Sequence, residues 1–129
     1  MNKLNDFGEL GGRVLIAAIF ILSGFSKITG YAGTQGYMEA MGVPGALLPL
    51  VIVAELGGGL LVVLGLWTRL AAFALAGFSL LSALLFHANF GDQVQMIMFM
   101  KNLAIAGGFL FLVAHGAGPL SVDARRART

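Results

Sequence analysis

With no cysteine, 58% hydrophobic residues and 11% charged, a chain of 129 residues is one domain long and too apolar to cover itself in water; soluble domains carry about 25% charged residues. Its mean hydropathy is +0.90. The missing cysteines exclude disulfides, thiol redox pairs and thiolate metal sites. The basic residues behind the net charge of +2 mostly flank apolar runs, which is a mark of membrane topology and not of a nucleic-acid-binding face.

Four runs, at about residues 10–28, 46–66, 70–90 and 94–115, are long enough to span a bilayer, whose core of about 30 Å needs about 20 helical residues. Strict alternation is absent and the runs are too long for barrel strands, so helices are the spanning form that satisfies the backbone. The sequence therefore predicts an all-α fold, a polytopic membrane four-helix bundle forming one domain over 1–129. The leader holds Asp6 and Glu9 beside Lys3, and no small-x-small cleavage site follows. The first span is expected to be retained rather than removed as a signal peptide.

The connection from Thr29 to Gly45 is the longest, and a short interfacial helix or a re-entrant segment is expected there. After the second run, Trp67-Thr68-Arg69 leaves so little chain that the second and third spans should form a tight antiparallel hairpin. The fourth span should break at Gly118-Pro119. Lys3, Arg13, Arg69, Arg125, Arg126 and Arg128 lie toward one side, and Lys27 and Lys101 toward the other. That bias predicts an up-down-up-down bundle with both termini in the cytoplasm. The basic tail suits an anionic inner leaflet.

Small residues have a packing role in this setting. Ala54 with Gly58, and Ala104 with Gly108, have the spacing that lets helix backbones approach. A dimer seam or a flat wall for a ligand ring are the other readings of these glycines. Met96, Met98 and Met100 read as adaptable packing.

Glu55 lies within the apolar run from Leu47 to Leu66, just before Gly57, Gly58 and Gly59. A carboxylate there needs a cation, a proton or water. At about 1.5 Å per residue, Lys27, Glu55, His87, Lys101 and Asn102 fall in the same half of the bilayer, contributed by all four spans. Intramembrane ionisable groups usually face the bundle interior, pair and mark function. Depth makes Lys101 the expected partner of Glu55, then Lys27, with Arg13 in the other half of the membrane. A purely architectural ion pair that fixes helix register is the competing reading. His87 could equally be an anchor at the membrane interface, and His115 reads as one. The two histidines lie on opposite sides and cannot share a metal. No metal or phosphate motif and no serine triad appears. Glu55-Leu-Gly-Gly-Gly and Asn102-Leu-Ala-Ile-Ala-Gly-Gly echo one another faintly, without making a repeat.

Arg13 with Ile19-Phe-Ile-Leu-Ser-Gly-Phe-Ser-Lys27, then Glu55-Leu-Gly-Gly-Gly-Leu-Leu with Leu64-Gly-Leu-Trp-Thr-Arg69, form an ordered series. It continues with His87, Lys101-Asn-Leu-Ala-Ile-Ala-Gly-Gly, and Gly116-Ala-Gly-Pro-Leu-Ser-Val-Asp123. In order and spacing the chain resembles DoxX-type membrane proteins over nearly its full length. The resemblance implies a small four-helix inner-membrane protein associated with oxidoreductases, the family being named after a subunit of a thiosulfate:quinone oxidoreductase. Its recurring polar positions fall on Arg13, Lys27, Glu55, Arg69, His87, Lys101 and Asn102, with Arg13 and Arg69 as structural charges.

Three functions fit these features. The bundle binds a quinone or similar lipid-soluble molecule, with Lys27, His87, Lys101 and Asn102 donating hydrogen bonds and Glu55 exchanging protons. No electron carrier of its own is expected, so a redox enzyme subunit would supply electrons. Alternatively it is a structural anchor or assembly factor, or a transporter or sensor of a small solute or lipid. Transport would require a homo-oligomer, because four short helices enclose only a small pathway.

Overall fold

A computed structural model describes residues 3–127, and the regular structure among them is entirely helical. Helix α1 runs Lys3–Thr29. A short α2 (Tyr31–Ala40) follows, filling the long connection with the helix expected as one of its two forms. Helix α3 (Gly45–Leu64) opens with a 3-10 turn and contains a π-helical turn at Val53–Gly57. Then come α4 (Thr68–Phe86), α5 (Gln93–His115) and a terminal α6 (Val122–Ala127). Helices α1, α3, α4 and α5 are each long and apolar enough to cross a membrane.

The boundaries follow from local chemistry. Gly65 at φ 72° ends α3 in the left-handed region, where a Cβ costs about 1–2 kcal/mol. The third span stops at Phe86, short of the expected 90, because His87 leaves helical geometry at φ −128°. Asp92 then starts α5 by accepting from the Val94 N–H at 2.9 Å, satisfying an orphan donor of its first turn. Helix α1 begins at Lys3, well before residue 10, which puts Arg13 inside a continuous helix.

The shared core is Ala17 and Phe20 of α1, Val62 of α3, Ala71, Ala72, Leu75 and Ala76 of α4, and Ala106 and Phe109 of α5. Phe20 meets Phe109 edge to face at 5.4 Å. Small residues admit close contacts around it. A Cβ on Gly24 would lie 2.6 Å from Leu56 Cγ, one on Gly59 2.8 Å from Ile21 Cγ1, and one on Gly108 2.7 Å from Ile16 Cδ1. This is the packing role expected for glycine where helices associate without a hydrophobic driving force. Large apolar side chains such as Leu15, Leu22, Leu70, Phe73 and Phe111 project outward, as a lipid-facing surface requires.

At the Arg13 end of the bundle the chain is tied by charge to backbone. Arg13 is 1% exposed. Its Nη1 donates to the carbonyls of Val62 and Val63, each at 3.1 Å, and its Nη2 to that of Leu120. Two of these bonds reach carbonyls in the last turn of α3 and the third reaches the tail, so one guanidinium ties α1 to both. Asp123 caps α4 from the tail, accepting from the N–H groups of Trp67 at 2.8 Å and Thr68 at 2.9 Å. Trp67 takes φ 48° to present its N–H. Burial by itself would raise the Asp123 pKa. The backbone hydrogen bonds and the charge of Arg126 outweigh it and hold the carboxyl below its ordinary value.

Candidate ligand-binding cavity

The π turn sets the site. Val53–Gly57 inserts an extra residue per turn into α3, and Glu55 sits in its middle. Such turns are rare and occur frequently at functional sites. Glu55 is 4% exposed and accepts a hydrogen bond from Lys27 Nζ at 2.6 Å.

The expected pairing is corrected here. Lys27 holds Glu55, not Lys101, and Arg13 is committed to carbonyls at the other end of the bundle. The reason lies in the glycine contact. Gly24 lets α1 touch α3 at Leu56, so Lys27, nearly one turn beyond Gly24, lies over Glu55. Lys101 has no ionic partner among the described residues, and its side chain lines the same cavity as the pair.

That cavity measures about 550 Å³, within the usual range of about 300–1,000 Å³ for small-molecule sites. Its walls are mostly apolar and come from α1 through α5, with Phe20, Leu50, Phe78, Leu85 and Ile105 among them. Against that background stand Lys27, Glu55, His87, Lys101 and Asn102, all five of the candidates placed by depth. His87 Nδ1 lies 2.8 Å from Gln95 Oε1, a pairing in which Nδ1 carries the hydrogen. Asn102 Nδ2 donates to the Ser79 carbonyl at 3.2 Å, joining α5 to α4.

Sequence reasoning missed Ser79. It is 2% exposed, lines the cavity, and its Oγ has no hydrogen-bond partner. An isolated serine in an apolar run gives no signal by itself. Its position seven residues before Phe86, on the face of α4 that packs on α5, marks it only once the helices are placed. The part that α2 plays in the cavity was not foreseen either. Thr34, Tyr37 and Met38 line the cavity, and the Tyr37 ring stacks on Phe86 at 5.6 Å. Gln35 Nε2 fixes this helix by donating to the Gly45 carbonyl at 3.2 Å.

Arg69 and His115 lie apart from this cavity. They line a second, more open cleft of about 430 Å³ with Trp67, Gly116 and Asp123. Gly116, at φ 77°, leaves room for the Arg69 guanidinium; an added Cβ would come within 3.2 Å of its Nε. His87 and His115 therefore line different cavities, as their sequence depths required. Among the described residues no group of three His, Cys, Asp or Glu side chains could hold a metal ion.

The DoxX family pattern matches residues 8–88. The chain is 58% identical to the inner membrane protein YqjF of Escherichia coli over 95% of both chains. It is 39% identical to the inner membrane protein YphA of the same organism, over 97% of this chain and 100% of that one. A putative oxidoreductase, CatD of Bacillus subtilis, is 37% identical over 59% of this chain and 57% of its own. No solved structure matches.

Proposed function

On the premise that this chain belongs to the DoxX family, we propose that it is an inner-membrane protein whose cavity binds a quinone or similar lipid-soluble molecule. In this reading it serves a redox system as a subunit without a cofactor of its own. One observation carries the reading: a mostly apolar cavity of about 550 Å³ lined by an ion pair, an asparagine and a lysine with no ionic partner among the described residues. An apolar enclosure with a few convergent polar groups is the general form of a small-molecule site. Lys101 and Asn102 can donate to carbonyl oxygens, and Glu55 can exchange a proton with Lys27 or the ligand.

The redox association is supported by the oxidoreductase name of the Bacillus subtilis relative, and the membrane by the names of the two Escherichia coli relatives. The spans alternate in direction, both termini face the cytoplasm, and the cavity lies in the outer half of the membrane; the Lys and Arg bias supports this orientation. The test is mass spectrometry of small molecules extracted from gently purified protein, wild type beside Lys101→Ala. A quinone present in the wild type and missing from a folded variant supports the site.

A second reading has its own observation. The Lys27–Glu55 pair is closed at 2.6 Å within the bundle, as an anchor or assembly factor with an architectural ion pair requires. No extracted species from either protein would favour it.

A further inference from the structure

We propose that, of the lipid-soluble molecules that fit this cavity, it binds acidic amphiphiles most tightly: one ionised oxygen head, a carboxylate or phenolate, on an apolar body. This inference rests on the cavity being a ligand site and adds the charge of the ligand.

The charges lining the cavity do not balance. Glu55 is the one carboxylate among the described lining residues, and Lys27 already occupies it at 2.6 Å. Lys101 adds a second ammonium with no acid of the chain against it among the described residues. An ammonium lining an apolar cavity is costly unless an anion or a polar network compensates it. Neither Asp92, which caps the start of α5, nor Glu39 of α2 is among the described residues that line the cavity.

The surroundings of Lys101 suit an oxyanion. Asn102 is its neighbour in sequence, and Asn102 Nδ2 reaches the Ser79 carbonyl on α4. Ser79 Oγ is sealed within the bundle and has no hydrogen-bond partner among the described residues. An ammonium and an amide lining one cavity match a group that accepts several hydrogen bonds and carries negative charge. The remaining wall, with Phe20, Leu50, Phe78 and Leu85, suits a hydrocarbon body. A neutral carbonyl ligand would use the donors but leave the excess charge in place.

The experiment measures binding of three probes to the full-length protein in nanodiscs of neutral lipid at pH 7: dodecanoate, its methyl ester, and a neutral benzoquinone bearing an alkyl tail. Proteins are the wild type, Lys101→Gln, and Arg69→Gln as a control outside the cavity, each checked for monodispersity and helical content. Dodecanoate should bind the wild type at least about tenfold more tightly than the ester, a difference near 1.4 kcal/mol. Lys101→Gln should abolish that preference, and Lys101→Arg should retain it where Lys101→Gln fails to fold. Arg69→Gln, which removes a cation from the separate cleft, should keep it. Equal binding of acid and ester, or a preference that survives Lys101→Gln, overturns the inference. Quinone binding with no preference for dodecanoate over its ester would overturn it while leaving the cavity as a ligand site. Failure of all three probes to bind would count against both.

Discussion

Lys27 and Glu55, 28 residues apart in the chain, meet at 2.6 Å where α1 crosses the π turn of α3. They are not equally committed. The Lys27 side chain is 27% exposed, whereas that of Glu55 is 6% exposed. Lysine can extend its long stem toward the membrane interface if its partner is lost. Glutamate, held inside, cannot.

The two single substitutions should therefore differ. Lys27→Met strands Glu55 and should cost about 3 kcal/mol of stability. Glu55→Gln should cost less, about 1–2 kcal/mol, and Lys27→Met/Glu55→Gln should recover part of the larger loss. Thermal unfolding in detergent, followed by size-exclusion profiles, compares the four proteins. Equal losses, or a double variant as weak as the sum of the singles, would mean the pair is not a coupled unit.

Arg13 should matter for folding and not for the ligand. Its guanidinium bonds three carbonyls, those of Val62, Val63 and Leu120. Hydrogen bonds to a charged group contribute about 1.5–3 kcal/mol each. Arg13→Ala is expected to abolish accumulation of folded protein, and Arg13→Lys to reduce it severely. Yield of monodisperse protein is the readout; near-normal yield of Arg13→Ala would show that other contacts hold α3 and the tail.

The tail should detach in acid. The folded-state pKa of Asp123 lies below the ordinary carboxylate value, so its stabilising contribution is present above about pH 4. It is lost as pH falls through the lowered value. Proteolysis at Arg125 and Arg126 by an acid-tolerant protease should accelerate below about pH 4. Asp123→Asn should show the fast rate already at pH 7, with little further acid dependence. A flat pH profile in the wild type would contradict this cap.

Gly65 should tolerate no side chain. Its φ of 72° is left-handed, and an added Cβ would collide with Arg13 and Ser121. Gly65→Ala should cost more than the 1–2 kcal/mol of the backbone alone. Gly77, where an added Cβ meets nothing within 4 Å, is the control and should accept alanine almost neutrally. Similar melting of the two variants would rule out the clash.

The sequence made the spans and the five polar residues legible, because both depend on distance along a helix axis. Counting residues placed Lys27, Glu55, His87, Lys101 and Asn102 at one depth, and all five line one cavity. What counting could not give was rotation about the axis. The choice between Lys101 and Lys27 for Glu55 turned on the Gly24–Leu56 contact and on a π turn, both products of packing. Ser79 stayed hidden for the same reason. A single hydroxyl acquires meaning only when a neighbouring helix brings a lysine and an asparagine to the same cavity. The fold of the Thr29–Gly45 connection was open between two forms, and the stacking of Tyr37 on Phe86 shows how the helical one covers the cavity.

The most direct measurement is photoaffinity labelling of the protein in its native membrane with an azido-quinone bearing an alkyl tail, the labelled residues mapped by peptide mass spectrometry. Labelling within the cavity, on segments carrying Tyr37, Glu55, Phe78 or Lys101, and its suppression by unlabelled ligand, is the predicted result. Labels spread over outward-facing residues such as Leu15, Phe73 and Phe111, without suppression, would contradict a ligand site in this bundle.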